Sequence, residues 1–379
     1  MEYTKLKYIN QYKSKSINPA KTPDTIFEMY SVPIYATGHP EYLRGDEIAS
    51  NKAIVRKNDI LLCKINPRIN RVWVVSDESG KQNIASSEWI VIRNSEYNPE
   101  FLAWYFRTPK FQKFMTSEIT GIGGSLTRAQ PKCVAEYPVP VLNRKKQDEI
   151  VNILDKCKFV IDSRKRELLE LDNIIKARFV EMFGSIHEST EYPYVALKAL
   201  SDVISGGTPS REKAEFWNNG TIPWVKTTEL KNNVITDVDE YITEEGLVNS
   251  SAKLVPAGTI LVAMYGQGKT RGMTAYLDIE ASTNQACACI LPSDKIDSMF
   301  MWKYFELSYD KLRSLAQGAG QPNLNGNMIK NFKVLVPPIE MQKSYVNFVN
   351  QVDKSKVKVQ KALDETQKLF DSLMQQYFG

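Results

Sequence analysis

Apolar side chains recur at alternating spacings of four and three residues in two stretches of the sequence. In the first stretch eight of ten positions are apolar, namely Ile150, Leu154, Cys157, Ile161, Leu168, Leu171, Ile175 and Met182. In the second stretch eight of ten are again apolar, namely Tyr345, Val349, Val352, Val359, Leu363, Phe370, Leu373 and Tyr377. This spacing aligns the side chains along one stripe of an α-helix. It therefore predicts two long helices that pack against each other along this seam.

The two stretches repeat one another at an offset of 195 residues, and each ends on a Phe-Gly pair, Phe183-Gly184 and Phe378-Gly379. A second repeat relates residues 53–62 to residues 253–262 at an offset of 200, with a turn followed by a short apolar strand in both copies. Such duplication is typical of a repeated architecture. We therefore predict two similar halves.

Outside the predicted helices the strand signals are short, β-branched and separated by turns, which favours mixed domains. The predicted fold class is α+β, with two similar mixed α/β domains, separated and joined by two long antiparallel coiled-coil helices, and an internal pseudo-two-fold repeat. The predicted boundaries are 1–142, 143–185, 186–337 and 338–379. An alternative stays open, in which each helix packs only on its own domain.

The composition limits the chemistry that the chain can carry. Its 379 residues include two histidines and five cysteines, and the cysteines form no CxxC pair. Disulfides, a metal site and histidine-based catalysis are therefore not expected. The sequence has no run of 18 apolar residues and no apolar segment at its start, so we expect a cytoplasmic protein without a membrane partner. The net charge of +5 permits a DNA partner without establishing one.

Two basic loops follow the equivalent strands of the second repeat. Basic and amide side chains on loops are the usual contacts to phosphates and base edges, and glycines allow a close backbone approach. In the second half the candidate residues are Gly266, Gln267, Lys269, Thr270 and Arg271, and in the first half they are Lys64, Arg68 and Arg71. A phosphate-binding P-loop at Gly268-Lys269-Thr270 is disfavoured, because its first glycine would fall on Ala263.

Several motifs together resemble the specificity subunit of Type I restriction-modification systems, over essentially the whole chain. The motifs are Gly206-Gly-Thr-Pro-Ser-Arg211, residues 216–225, Lys226-Thr-Thr-Glu-Leu230, residues 258–261 and residues 334–342. The pattern is weaker in the first half, where residues 1–50 contain no copy of Gly-Gly-Thr-Pro. The motifs add Thr208, Ser210, Arg211, Lys226 and Thr227 to the candidate DNA contacts. Packing of Trp217 and Trp224, tight turns and surface solvation remain alternative explanations for these motifs.

The resemblance implies a non-catalytic subunit without a cofactor of its own. Residues 1–142 and 186–337 would be two target recognition domains, each reading one half of a bipartite, asymmetric sequence in double-stranded DNA. The helices would set the distance between the half-sites and dock two modification subunits, which bind S-adenosylmethionine and methylate adenine. A separate restriction subunit would use ATP and Mg²⁺ to translocate and cleave DNA.

Two other classes of function are less consistent with the sequence. A stand-alone DNA methyltransferase would need an Asn- or Asp-Pro-Pro-aromatic motif, and the nearest sequence, at residues 65–68, lacks it. No GxGxxG follows a strand, and no cluster of paired carboxylates with a lysine indicates a nuclease. The remaining alternative is a coiled-coil scaffold that does not bind DNA.

Overall fold

A computed structural model describes residues 2–117, 119–120, 127–266, 268–317 and 322–379. The chain divides into two compact units. Unit 1 comprises Met1–Lys165 and Lys361–Gly379, and unit 2 comprises Arg166–Gln360. Two long helices each contribute one part to each unit, so unit 1 is built from two separate pieces of chain.

The strands of unit 1 form two main sheets and two short pairs. In chain order they are β1 (Tyr3–Lys5), β2 (Ser16–Ile17), β3 (Ile26–Tyr30), β4 (Glu41–Arg44), β5 (Lys52–Ile54), β6 (Ile60–Cys63), β7 (Val72–Val74), β8 (Gln82–Ala85), β9 (Trp89–Ile92), β10 (Ile119–Thr120), β11 (Arg128–Ala129) and β12 (Pro138–Pro140). The main sheets have the orders β2-β5-β8-β3-β4 and β7-β6-β9, and β1 pairs with β12. Strands β3 and β8 run parallel, whereas β6 is antiparallel to both of its neighbours.

Five α-helical segments from the first piece of chain contribute to unit 1 within the described residues. They are α1 (Leu6–Ile9), α2 (Pro99–Phe106), α3 (Pro109–Ser117), α4 (Pro131–Val134) and the first part of α5 (Arg144–Phe183), with short 3-10 helices at Pro19–Lys21, Pro33–Thr37 and Gly45–Glu47. Helix α2 is buried throughout Phe101–Phe106, so it is the centre of this core rather than an amphipathic surface helix. Its aromatic rings pack on the end of the chain, where Phe101 lies 5.6 Å from Phe378 between ring centroids.

Unit 2 repeats the central strand pairings of unit 1. Its strands are β13 (Tyr194–Ala196), β14 (Val203–Ser205), β15 (Ile222–Val225), β16 (Asn233–Ile235), β17 (Tyr241–Ile242), β18 (Leu254–Val255), β19 (Ile260–Ala263), β20 (Thr274–Leu277), β21 (Ala281–Thr283), β22 (Cys287–Ile290) and β23 (Lys333–Leu335). The sheet orders are β14-β22-β19-β20-β16 and β17-β15-β21-β18, and β13 pairs with β23. The parallel pair β15-β21 corresponds to β3-β8, and the hairpin strands around β19 correspond to those around β6.

The helices of unit 2 enclose its core in the same order along the chain. They are α6 (Leu197–Leu200), α7 (Glu244–Val248), α8 (Ser298–Leu307), α9 (Tyr309–Ser314), α10 (Gly326–Asn331) and α11 (Ile339–Phe378), with 3-10 helices at Ala214–Phe216 and Thr227–Glu229. The last part of α5 and the first part of α11 belong to this unit. Both enter the core, because Phe179 and Phe183 of α5 are fully buried together with Phe300 and Tyr345.

A buried glutamine fixes the start of each long helix in the same way. Gln147 accepts a hydrogen bond from the backbone N–H of Asn98 at 2.7 Å, and its amide donates to the carbonyl of Leu142 at 2.8 Å. Gln342, which is 195 residues further on, accepts from the N–H of Asp297 at 2.9 Å and donates to the carbonyl of Pro337 at 2.7 Å. Asn98 and Asp297 themselves cap α2 and α8, so each glutamine joins the long helix to the aromatic helix of its unit.

Within unit 2 the two long helices run antiparallel. Asp172 pairs with Lys356 at 2.6 Å, and seven residues later Phe179 lies 5.5 Å from Tyr345 between ring centroids. Residues later in α5 therefore contact residues earlier in α11. Within unit 1 the first turns of α5 share a core with the last turns of α11, through Ile150, Leu154 and Phe378.

The predicted seam residues are buried or half-buried throughout. The buried ones are Ile150, Leu154, Ile161, Ile175, Val349, Val352, Val359 and Leu363. The half-buried ones are Cys157, Leu168, Leu171, Phe370 and Leu373. The predicted α+β fold, with two similar mixed domains and two long helices, is therefore confirmed, whereas the domain boundaries 1–142, 143–185, 186–337 and 338–379 remain a prediction. Within the described ranges, no helix is both long and apolar enough to cross a membrane.

Candidate nucleic-acid interface

A short turn between β21 and β22 brings three of the predicted segments of unit 2 together. The N–H of Asn284 donates to the carbonyl of Val225, at the end of β15, over 3.0 Å. The carbonyl of Ala286 accepts from the N–H of Met264 at 2.8 Å, where the basic loop begins. The hydroxyl of Thr208 donates to the side chain of Gln285. Segments that are far apart in sequence thus meet at residues 284–286.

Unit 1 contains the same arrangement at the turn between β8 and β9. The N–H of Ser86 donates to the carbonyl of Tyr30, at the end of β3, over 3.1 Å, and the N–H of Lys64 donates to the carbonyl of Glu88 over 3.0 Å. These two bonds match those of Asn284 and Ala286 in unit 2. The main-chain framework is therefore repeated, whereas the side chains that it presents differ between the units.

The unit 2 loop (residues 265–272) is held from outside by α9 and by the segment before α10. The hydroxyl of Tyr309 donates to the carbonyl of Lys269 at 2.8 Å, and the guanidinium of Arg313 donates to the carbonyl of Arg271 at 2.8 Å. The N–H of Leu324 donates to the carbonyl of Met264 at 3.0 Å. The backbone of the loop is thus fixed at both ends, which favours a preformed binding surface.

The predicted contact residues of this loop fall into two groups. Arg271 is half-buried, and its guanidinium donates to the carbonyl of Pro322. Thr270 is also half-buried, and its carbonyl accepts from the N–H of Met273 at 2.9 Å. Lys269 and Gly266 are exposed, and Lys269 forms no ion pair within the described part of the chain. Gln267 lies outside the described residues. The free cation of the loop is therefore Lys269, while Arg271 braces the loop.

The predicted contact residues of the unit 1 loop (residues 64–71) fall into the same two groups. Arg71 stands 200 residues before Arg271, and its guanidinium donates to the carbonyl of Ile65 at 3.5 Å. Arg68 is exposed without an ion pair among the described residues, and its carbonyl accepts from the side chain of Gln112 in α3. Lys64 is half-buried beside Glu88, whose carboxylate is paired with Arg128 at 3.0 Å. Each loop therefore presents one exposed cation and keeps one arginine as a brace.

The Gly206-Gly207 turn packs against the backbone of neighbouring segments. A Cβ atom on Gly206 would lie 2.3 Å from the carbonyl oxygen of Thr283, and one on Gly207 would lie 2.3 Å from the carbonyl carbon of Ser251. Both positions therefore need glycine for a close backbone approach. This contact holds the next residues in place, with Thr208 half-buried on Gln285 and Ser210 exposed.

Arg211 and Lys226 are partly neutralised by one carboxylate. Glu240 lies 2.9 Å from the ammonium of Lys226 and 2.6 Å from the guanidinium of Arg211. The hydrogen bond from Lys226, followed by that from Arg211, holds the pKa of Glu240 below its usual range despite some burial. The same hydrogen bond to Glu240 raises the pKa of Lys226. Because both cations are already paired, they are weaker candidates for phosphate contacts than Lys269.

Two tryptophans pack beside the cluster of Arg211, Lys226 and Glu240. The guanidinium of Arg211 lies 3.5 Å from the ring centroid of Trp217, and Trp224 is buried edge-on to Trp217 at 5.0 Å. Their indole N–H groups donate to the carbonyls of Ser210 and Gly207, at 2.9 and 3.0 Å. The rings thus shape the polar turn, and Thr227 is half-buried next to this cluster.

Sequence reasoning missed Gln285 and Glu88, which lie on the two equivalent turns. Gln285 is exposed, and its amide can reach a base edge as Gln267 was expected to do. The signal was present, because the turns between β8 and β9 and between β21 and β22 have the same length and lie at an offset close to that of the second repeat. Among the residues that the structure describes, no group of three or more His, Cys, Asp or Glu side chains could hold a metal ion.

Residues 190–366 match a family described as the Type I restriction modification DNA specificity domain. The chain is 28% identical to the Type I restriction enzyme EcoR124I/EcoR124II specificity subunit of Escherichia coli, over 55% of this chain and 52% of that protein. It is 24% identical to the MjaVIII specificity subunit of Methanocaldococcus jannaschii, over 92% of this chain and 84% of that protein. The match thus spans about half the length of the Escherichia coli relative.

Two solved structures share the fold over the whole chain. One comes from a study of complex assembly and conformational transition of the type I R-M system, with a TM-score of 0.60, 18% identity and coverage of 100% of this chain and 97% of that one. The other is the Type-I restriction-modification system S subunit from M. genitalium, with a TM-score of 0.60, 13% identity and coverage of 100% and 96%. Residues 190–366 therefore contain a Type I restriction modification DNA specificity domain, and the chain is similar to Type I restriction enzyme specificity subunits.

Proposed function

We propose that this chain is the non-catalytic DNA specificity subunit of a Type I restriction-modification complex. Each unit would read one half of a bipartite, asymmetric target in double-stranded DNA. The main observation in support is the repeated turn and basic loop, with the same main-chain hydrogen bonds in both units and different side chains on them. Lys269 and Arg68 suit phosphates, and Gln285 suits a base edge. A shared framework with different side chains fits a target whose two halves differ.

A methylation assay tests this proposal. The chain is assembled with its modification subunits, supplied with labelled S-adenosylmethionine and genomic DNA, and the methylated adenines are located by sequencing. We expect methylation at one two-part motif, and only when the chain is present. Methylation of unrelated sequences, or methylation that does not depend on the chain, would contradict the proposal and favour the coiled-coil scaffold.

The proposal assigns all cofactors and reactions to partner proteins in the cytoplasm. Two modification subunits would bind S-adenosylmethionine and methylate adenine, and a restriction subunit would use ATP and Mg²⁺. Incubating the purified chain alone with labelled S-adenosylmethionine and DNA separates this view from a stand-alone methyltransferase. The same incubation with Mg²⁺ separates it from a nuclease. Label transfer or strand cleavage by the chain alone would overturn the assignment.

Exposed apolar side chains on the long helices support docking of the modification subunits there. On the part of α5 in unit 1 they are Ile153, Phe159 and Val160, and on the part in unit 2 they are Leu169, Ile174 and Val180. Phe159 is the most exposed of them, at 72%. An exposed aromatic ring on a helix is well suited to anchor an interface. These residues lie beside the seam, which leaves them available to a partner helix.

Phe159→Ala should weaken binding of a modification subunit by about tenfold or more, because truncating a central aromatic anchor commonly costs about 2 kcal/mol. Thermal stability should stay unchanged, since the ring is exposed within this chain. Titration calorimetry with the purified modification subunit measures the affinity. Tyr8→Ala is the matched control, because Tyr8 is also 72% exposed in unit 1 but lies outside the long helices. Equal affinities for both variants would contradict docking at Phe159.

A further inference from the structure

Unit 2 contains a cavity of about 760 Å³ that the proposed recognition loops do not use. It is bounded by α9, α10, the start of β23 and the segment after α5. The polar side chains that line it include His187, Lys311, Gln317, Asn327, Asn331 and Lys333. Every one of these side chains can donate a hydrogen bond, and two of them carry a permanent positive charge. The cavity therefore suits a ligand with several anionic acceptor oxygens.

The positive charge in this cavity is not neutralised by the protein. Among the described residues that line it, none is acidic. Lys311 and Lys333 are exposed, and neither forms an ion pair within the part of the chain that the structure describes. An ammonium group beside amide donors is a common arrangement for phosphate binding. Apolar contact with the floor of the cavity is available from Leu315 and Phe332.

The duplicated fold provides an internal comparison for this surface. Strand β23 pairs with β13 as β12 pairs with β1, so Lys333 corresponds to Pro138 and Asn331 to Glu136, both at an offset of 195. In unit 1 the carboxylate of Glu136 is paired with Lys5 at 2.9 Å and with Lys7 at 2.7 Å. Both of these unit 1 lysines are thus already paired with a carboxylate. In unit 2 an amide replaces the carboxylate and an added lysine remains unpaired, so the two units differ in charge at the same place in the fold.

Helix α9 lies between the cavity and the unit 2 loop. Tyr309 and Arg313 lie on one face of this helix and hold the carbonyls of Lys269 and Arg271. Lys311 lies on the other face and lines the cavity. An α-helix with its side chains is about 10–12 Å wide. A cation in the cavity is therefore about one helix width from the loop, a distance that a DNA groove can span.

We propose that this cavity binds phosphates of the DNA backbone beside the bases that the unit 2 loop reads. The inference rests on the proposed DNA-binding function and adds a contact that carries no sequence information. It also makes the interface asymmetric, since the lysines on the corresponding surface of unit 1 are paired with Glu136. Lys311 and Lys333 are the phosphate contacts, and the amides of Asn327 and Asn331 orient the bound group.

Salt dependence of DNA binding tests these contacts. The double variant Lys311→Gln with Lys333→Gln removes two charges and keeps most of each side chain. The slope of log affinity against log salt concentration should fall by about two, because each phosphate contact contributes about 0.9 to this slope. Affinity for target and random duplexes should fall by the same factor. The matched control is Lys354→Gln with Lys358→Gln, which makes the same change in net charge on exposed positions of α11 in unit 2.

The outcomes of this test are distinct. If the wild-type chain binds no duplex, the proposed function fails. If it binds and the cavity variant keeps the slope of the α11 control, the cavity inference is overturned while the proposed function stands. If only the target duplex is weakened, the lysines read sequence, which also overturns the inference.

His187 provides a second readout, because the chain has only one other histidine, His39. Burial and then the charge of Lys311 lower the pKa of His187, and nearby Glu188 opposes this. A phosphate in the cavity should raise the pKa of His187, since it stabilises the protonated ring. Proton NMR of the histidine ring signals, assigned with His39→Gln, measures the shift on adding duplex DNA. No shift at saturating DNA, or an equal shift with inorganic phosphate at matched phosphate concentration, would overturn DNA as the ligand.

Discussion

Reversing the charge of Lys269 and Arg68 together should weaken binding of duplex DNA by more than roughly thirtyfold at physiological salt. The loss of two phosphate contacts alone gives about this factor. Each contact contributes about 0.9 to the slope of log affinity against log salt concentration, and the factor follows when this slope is extrapolated from about 1 M to physiological salt. Glutamate adds repulsion to that loss. Both side chains are exposed and unpaired within the described residues, so Lys269→Glu with Arg68→Glu should leave the melting temperature unchanged. Fluorescence anisotropy across a salt series measures the affinity and its slope.

The braced arginines provide the contrast to these two residues. Arg271→Gln removes a charged hydrogen bond to the carbonyl of Pro322. Such bonds contribute about 1.5–3 kcal/mol, so the variant should be less stable than the wild type. The variant should also bind DNA more weakly, because the loop is distorted. The slope of log affinity against log salt concentration should change little, because no phosphate contact is lost. The opposite result would be a variant that is as stable as the wild type and changes the slope of log affinity against log salt concentration by about one. Arg271 would then be a phosphate contact and not a residue that only holds the loop.

Phe179→Ala should lower the free energy of unfolding of unit 2 by about 3–5 kcal/mol, the usual cost of removing a fully buried aromatic ring. Phe179 is 0% exposed. Its ring lies 5.0 Å from that of Phe183, 5.5 Å from Tyr345 and 6.0 Å from Tyr304 between centroids. The truncation leaves a cavity lined by these rings, and rigid aromatic neighbours are poorly able to fill it.

Urea denaturation followed by tryptophan fluorescence measures this loss. Leu169→Ala is the control on the same helix and in the same unit, because Leu169 is 64% exposed. It should change the free energy of unfolding by less than about 0.5 kcal/mol. Equal destabilisation by the two variants would mean that the end of α5 does not pack into the core of unit 2.

The long helices could be predicted because apolar spacing along a helix is a local property of the sequence. The end of the first helix departs from that spacing for a physical reason. The alternating spacing of four and three residues continues to Arg178 and Met182. The structure instead buries Phe179 and Phe183, which lie four and eight residues beyond Ile175. A spacing of four suits packing into the core of unit 2 rather than along a single partner helix. The apolar spacing alone does not show that the end of α5 packs into the core of unit 2 instead of along one partner helix.

The candidate site was predictable as a location and less so as a set of roles. Charge and glycine content indicated the two basic loops, and the structure places both next to equivalent turns. The sequence could not tell Lys269 from Arg271, because the carbonyl that engages Arg271 lies 51 residues away. Gln285 was missed for the same reason, since its contact with Thr208 spans 77 residues. Long-range contacts decide which cations stay free.

The internal repeat extends further in the structure than in the sequence. Residues 1–50 contain no copy of the Gly-Gly-Thr-Pro motif. Strand β3 nevertheless pairs in parallel with β8, as β15 pairs with β21. Strand pairing depends on buried alternation and backbone hydrogen bonds, which many sequences satisfy. The motif at residues 206–211 lies outside β15 and β21, so its absence from the first half does not alter the shared strand pairing.

The discontinuous construction of unit 1 has a consequence for protein synthesis. Phe101 needs Phe378 to cover it, and the ribosome makes the whole of Arg166–Gln360 between the two pieces of this unit. At typical elongation rates of about 5–20 residues per second, the aromatic face of α2 stays uncovered for roughly 15–55 s in each new chain, until Phe378 is made. During that interval nascent chains are exposed to aggregation, and unit 2 is the first part able to complete its fold.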